Sequence, residues 1–261
     1  MNKKDIKDVL LIDGKIFSSR LIMGTSLFPN QSILKKSLDI SEAEIVTVAI
    51  RRVDLTSDIN IFNLFKDKYS FLPNTAGCYT SKEAVLTAEL SREALKTDWI
   101  KLELIADEET LLPDSIELLN TAKILIEKKF KIFAYCNDDP IICKKLEDLG
   151  CVAVMPLISP IGSGLGIRNE HNLELIRQVC KGILIVDAGI GKPSDANRVM
   201  ELGYDGVLLN SSVARSLDPI NMAEAMKLAI MSGRKGFLSG IIEKNKLGVR
   251  STINSGKITN F

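Results

Sequence analysis

The chain has 261 residues, 46% of them hydrophobic, enough to bury one large core, and α/β barrels commonly reach this size as a single domain. Its 34 basic and 33 acidic residues are interspersed and leave a net charge of +1, which excludes the electrostatic footprint of a nucleic-acid or anionic-membrane binder. No apolar run approaches the roughly 18 residues that span a bilayer, and MNKKDIKDVLLIDG lacks the long apolar core of an export signal. A cytoplasmic chain is expected, or one in a plastid stroma if it is plastid-encoded.

Five cysteines, Cys78, Cys136, Cys143, Cys151 and Cys180, form an odd set without a CxxC pair, and most sit in apolar runs. They read as reduced core residues. His171 is the only histidine, in RNEHNLEL at a predicted helix start, and a structural role is expected for it. A His-based zinc site or a Ser/His/Asp triad would have to rest on that one residue.

In chain order, Val9 to Leu21 (VLLIDGKIFSSRL) predicts a short hairpin turning at Asp13-Gly14. From Leu21 onward, short apolar runs alternate with amphipathic stretches eight times. The runs are Leu21 to Ser26, Glu44 to Ile50, Ser70 to Gly77, Trp99 to Ile105, Lys131 to Asn137, Cys151 to Leu157, Ile183 to Gly189 and Gly206 to Val213. Eight strands with intervening helices predict a single (βα)8 TIM barrel over residues 21–233. Residues 1–20 form the N-terminal hairpin extension, placed as a lid on the bottom of the barrel, and 234–261 a polar, mobile C-terminal segment.

Helix boundaries agree with this alternation. Ser81 precedes KEAVLTAELSREAL, with apolar Ala84, Val85, Ala88 and Leu95 at helical spacing. Pro113 and Pro193 fit first-turn positions, and Gly150 and Gly203 fit helix ends. The last helix is predicted over Ile220 to Ser232, with a polar tail from Lys244.

One run stands apart. In WIKLELI, Trp99 to Ile105, alternation puts Ile100, Leu102 and Leu104 on one face and Lys101 and Glu103 on the other. If the apolar face meets the helices, the charges point into the barrel, where unpaired charge costs several kcal/mol. A desolvated lysine is expected to have a lowered pKa, and its neutral amine adds to a ketone or aldehyde to form a Schiff base. Glu103, roughly 7 Å along the strand, is placed to shuttle protons or to pair with Lys101.

Barrel chemistry sits at the carboxyl ends of the strands. There the chain offers Asp187 at the end of ILIVD, Asn210 and Ser211 after strand eight, and Arg51 and Arg52 after strand two. For the two arginines a structural ion pair and a substrate contact are equally open. Ser159 to Gly166 (SPIGSGLG) is a glycine-rich loop leading to a helix near Asn169. Its exposed N–H groups suit a phosphate, as do the small polar loops Ala188 to Gly191 and Asn210 to Ser212.

These residues resemble the thiazole synthase family of thiamine biosynthesis over nearly the whole chain. The matching stretches are VTVAIRRVDL, LPNTAGCYTSKEA, WIKLE, DDP, LEDLGCVAVMPL, SPIGSGLGI, IVDAGIGKPSDA, MELGYDGVLLNSSVA and MAEAMKLA. The resemblance implies condensation of 1-deoxy-D-xylulose 5-phosphate, dehydroglycine (2-iminoacetate) and sulfur from a carrier-protein thiocarboxylate into a thiazole phosphate carboxylate. It implies Lys101 as the Schiff-base residue, Glu103 and Asp187 as proton-moving carboxylates, and Gly162, Ala188, Gly189, Asn210 and Ser211 as sugar-phosphate contacts. It also implies a small ubiquitin-like sulfur carrier and a dehydroglycine-producing enzyme as partners, a homo-oligomer, and neither metal nor cofactor. Ile158 departs from the family pattern, which expects a smaller residue before the phosphate loop. Two other readings use the same residues: a Schiff-base aldolase acting on a sugar phosphate, and a non-catalytic barrel that docks the sulfur carrier.

Overall fold

The structure, a computed structural model, describes residues 8–49 and 68–251. Its first two strands, β1 (Leu10–Ile12) and β2 (Lys15–Phe17), pair antiparallel. Asp13 and Gly14, both at positive φ (48° and 76°), make the two-residue turn whose twist matches a hairpin.

The eight apolar runs all contain strands. They are β3 (Leu21–Gly24), β4 (Ile45–Ala49), β5 (Ser70–Asn74), β6 (Trp99–Leu102), β7 (Lys131–Cys136), β8 (Ala153–Pro156), β9 (Ile183–Asp187) and β10 (Gly206–Leu209). All their pairings are parallel, and β10 closes on both β9 and β3, so the sheet is an eight-stranded barrel. The helices among the described residues are α1 (Gln31–Ser41), α2 (Ser81–Leu95), α3 (Ser115–Glu127), α4 (Pro140–Leu149), α5 (Glu170–Val179), α6 (Pro193–Glu201), α7 (Ser211–Ala214) and α8 (Pro219–Ser239). None is long and apolar enough to cross a membrane.

The helix starts follow local chemistry. Thr80 caps α2 and shares a reciprocal capping box with Glu83, Asp139 caps α4 ahead of Pro140, and Gly150 ends α4 at φ 97°. Pro193 opens α6 as expected, but Pro113 lies before the Asp114 cap of α3 and bridges Ile105 instead. The predicted final helix also extends farther, to Ser239. Gly233, just past the predicted end, is a packing contact inside this helix: a Cβ there would stand 2.2 Å from the Asn197 carbonyl oxygen of α6.

Alternation divides the strand residues between two layers. Outward residues such as Ile100, Leu102, Leu104, Ile132 and Val186 pack under the helices. Inward residues at the amino ends of the strands, including Ile22, Ile45, Trp99 and Phe133, meet Leu10, Ile12 and Phe17 of the hairpin. The hairpin therefore plugs the bottom of the barrel. Trp99 anchors it: its ring centroid lies 6.0 Å from Phe17 and 5.1 Å from Phe133, and its indole N–H donates to Asp13 at 3.0 Å. All five cysteines are free thiols, four of them buried and Cys151 half-buried.

Because Phe17 is 5% exposed and closes this layer, Phe17→Ala should cost about 3 kcal/mol, read as a lower denaturant midpoint. Substrate KM should stay near the parent value, because the plug lies at the far end of the barrel from the carboxyl ends of the strands.

Candidate active site

At the carboxyl ends of the strands the barrel opens into a cavity of about 1110 Å³. Lys101 rises into it from β6, and Asp187 from the end of β9, three strands around the wall. The Lys101 Nζ lies 2.5 Å from Asp187 Oδ2 and 3.7 Å from Glu103 Oε2. All three side chains are buried, Lys101, Asp187 and Glu103 being 6%, 4% and 7% exposed. This is a cation bridging the barrel interior between two carboxylates.

Burial pulls the lysine pKa down, as the sequence suggested, but Asp187 and then Glu103 outweigh it, and the net direction is upward. The expectation of a lowered pKa is thus corrected. Lys101 rests as an ammonium, and a free amine arises only by passing a proton to a neighbour. The carboxylate at 2.5 Å is the nearest acceptor.

The facing of WIKLELI is as alternation predicts, but the strand stops at Leu102. Beyond it the Thr75 side chain holds the Glu103 backbone. The Thr75 hydroxyl donates to the Glu103 carbonyl at 2.7 Å and accepts from its N–H at 2.8 Å, replacing the ladder where β5 ends. Thr75 is fully buried and was not singled out in the sequence, where it reads as one more polar residue at a strand end.

Gly162, Ala188, Gly189, Asn210 and Ser211 all line the same cavity. The loops after β8 and β9 interlock. The Gly166 N–H donates to the Gly189 carbonyl at 2.9 Å, and the Ser159 hydroxyl donates to that oxygen at 3.2 Å. Gly189 sits at φ 92°, and a Cβ there would lie 2.2 Å from Ser159 Oγ; one on Gly191 would lie 2.2 Å from the Gly164 carbonyl oxygen. Ala188 itself takes a left-handed φ of 76°, a strained choice for a residue with a Cβ.

Ile158, the departure before this loop, turns away from the cavity. It is 3% exposed within the barrel–helix layer, while its N–H donates to the Ala188 carbonyl at 3.3 Å.

Asn210 donates to Ser26 Oγ at 2.8 Å, and its own Oδ1 is buried without a partner among the described residues. Arg215 was also missed from the sequence. Its Nη1 stands 3.7 Å from the place a Cβ on Gly162 would occupy, and it lies in the turn after α7, where no periodicity marks it. His171 lies exposed on the first turn of α5 and does not line the cavity. Arg51 and Arg52 lie outside the described residues.

A family model, "Thiazole biosynthesis protein ThiG", matches residues 11–253. The chain belongs to the ThiG family. A protein of Geobacter sulfurreducens named thiazole synthase is 50% identical over 254 residues, covering 96% of this chain and 98% of its own length. An Aquifex aeolicus thiazole synthase is 48% identical over 95% of this chain and 94% of its own length. This ThiG chain is an enzyme of thiamine biosynthesis, a thiazole synthase.

Among solved structures, the Amycolatopsis orientalis BexX/CysO complex superposes with a TM-score of 0.82 at 23% identity, covering 91% of this chain and 98% of that one. The 3-hexulose-6-phosphate synthase of Salmonella typhimurium gives a TM-score of 0.57 at 16% identity, covering 82% and 99%. At these identities the likeness is one of fold.

Thr75→Val keeps the volume of the side chain and removes both hydrogen bonds to the Glu103 backbone. It should lower kcat about tenfold and cost about 1–2 kcal/mol of stability, whereas Thr75→Ser, which keeps the hydroxyl, should retain most of the activity. Steady-state turnover and thermal melting of the two variants check this.

Proposed function

We propose that this thiazole synthase works through an imine on Lys101, with Glu103 and Asp187 as its proton-moving partners. The observation that carries the reading is the buried Lys101 ammonium in contact with both carboxylates inside the cavity. Asp187 takes a proton from Lys101, and the freed amine adds to the ketone of 1-deoxy-D-xylulose 5-phosphate. The resulting iminium acidifies the adjacent carbon. Glu103 or Asp187 then moves protons as the carbonyl migrates along the sugar chain, and a thiocarboxylate sulfur attacks the new electrophile. Dehydroglycine supplies the ring nitrogen and the remaining carbons.

The phosphate is assigned to the cradle of Gly162, Ala188, Gly189, Asn210 and Ser211. Two features support the assignment. The five residues come from three loops that all line the cavity, and Arg215, which lines it too, stands beside Gly162 with no ion-pair partner among the described residues.

The sulfur donor is a small ubiquitin-like carrier whose C-terminal tail enters the open end of the barrel, and a separate enzyme supplies the dehydroglycine. The fold relative BexX, crystallised in complex with CysO, supports a protein partner on a barrel of this shape. A homo-oligomer is supported by exposed Leu86 and Leu90 on α2 and exposed Ile116 on α3. The near-neutral charge and the free thiols support a cytoplasmic setting.

Borohydride reduction in the presence of 1-deoxy-D-xylulose 5-phosphate should fix a stable adduct that mass mapping places on Lys101. Lys101→Ala should give none. That variant leaves two buried carboxylates without their cation and should lose about 3–5 kcal/mol, so its folding is checked by circular dichroism. An adduct confined to another lysine would overturn the assignment.

A further inference from the structure

Two tyrosines are wholly buried in this fold, and they differ in one respect. Tyr204 donates its hydroxyl to the Leu173 carbonyl at 3.0 Å, as a structural tyrosine does. Tyr135, on β7, has a buried hydroxyl with no hydrogen-bond partner among the described residues. Leaving such a group unmade costs about 1–3 kcal/mol. A phenylalanine fills nearly the same volume without that cost, so packing does not account for the oxygen.

Its place in the barrel suggests an account. Inward positions of β7 alternate: Phe133 joins the apolar plug at the bottom, and Tyr135 is the next inward residue toward the carboxyl end. Tyr135 forms a buried cluster with Ile105 and Leu157, against which Ile161 and Ala188 pack, and Ile105, Ile161 and Ala188 line the cavity. The Lys101 Nζ lies over that ring, 5.5 Å from its centroid. Burial, and then the charges of Asp187 and Glu103, push the phenol pKa upward. Tyr135 therefore remains a neutral O–H donor near a lysine and two carboxylates, and neither carboxylate accepts its hydrogen bond.

We propose that the Tyr135 hydroxyl is a further catalytic group, donating a hydrogen bond to the ketose oxygen on the carbon that Lys101 attacks. This rests on Lys101 as the imine-forming residue. The step balances without any outside reagent. The Lys101 ammonium gives one proton to Asp187, and the amine lone pair forms the N–C bond while the C=O π pair moves onto oxygen. That oxygen, carrying the developing charge, is the acceptor of the Tyr135 O–H. It next takes a proton from the nitrogen and then the proton held by Asp187. The C–O bond breaks, water leaves, and the nitrogen lone pair closes the iminium. Tyr135 ends as it began, because its phenol is a donor and not a proton source.

The test is Tyr135→Phe in the full chain. Parent and variant are mixed with 1-deoxy-D-xylulose 5-phosphate and quenched with borohydride at increasing times, and the Lys101 adduct is counted by mass. The rate of imine formation should fall about 10²-fold, the size seen when one donor to a developing oxyanion is removed. The melting temperature should hold or rise, since an unsatisfied buried hydroxyl has gone. A well-folded Tyr135→Phe that traps at the parent rate would overturn the proposal and leave the Lys101 imine intact. Absence of the adduct in the parent would instead overturn the imine itself, and this inference with it. Should the phenylalanine variant fold poorly, 3-fluorotyrosine installed at position 135 keeps the shape and the donor. It should trap at or above the parent rate, and a loss as deep as that expected for phenylalanine would count against the hydroxyl.

Discussion

One lysine held between two carboxylates across the inside of a barrel constrains most of this molecule. Three ionisable groups cannot be placed in a core unless their charges compensate at close range, and here the contacts are 2.5 Å and 3.7 Å. Lys101 and Asp187 come from strands three apart, so the pairing exists only when the barrel is closed. The interior is accordingly split along its axis. The lower end is filled by Trp99, Phe133 and the hairpin residues Ile12 and Phe17, which keep water out from below. The upper end is polar and opens to the cavity.

That division was legible in part from the sequence. Strict alternation in WIKLELI was enough to face Lys101 and Glu103 inward, because side chains on a strand have only two directions and one was apolar. The length of the strand was not legible. β6 ends at Leu102, one residue past the Lys101 that pairs with Asn74 at the end of β5, and such pairing depends on a partner that lies elsewhere in the chain. The same holds for Thr75, whose hydroxyl matters only because the Glu103 backbone comes to rest beside it. Gly233 is another case: it follows the predicted end of the last helix, yet it lies inside α8, where α6 needs the room. The direction of the Lys101 pKa was misjudged for a related reason: burial is visible in an apolar run, but the second carboxylate arrives from 86 positions further along the chain.

The cradle proposed for the phosphate is built on another principle. Its geometry comes from backbone, with the Gly189 carbonyl accepting from both Gly166 and Ser159, so that two loops fix each other. Such a cradle tolerates a bulky neighbour if the side chain can leave the cavity, and Ile158 does so by packing beneath the helices. It does not tolerate a Cβ at Gly189 or Gly191, where the opposing backbone is already in contact. Sequence shows where glycines are. Which of them face another chain segment is a property of the fold.

The raised proton affinity of Lys101 looks at first like an obstacle for a nucleophile, since an ammonium cannot attack a carbonyl. In the proposed imine mechanism the product of the attack removes the difficulty. A protonated imine carries its positive charge on the same nitrogen, within reach of the same two carboxylates that stabilised the ammonium. The charge arrangement before and after imine formation is therefore nearly unchanged, and the surrounding dipoles need little reorganisation. A site tuned to keep a free amine would favour the reactant at the expense of the iminium. Under the proposed mechanism this one holds a cation throughout and asks only for a proton to leave briefly and return, over the 2.5 Å that separates Lys101 from Asp187.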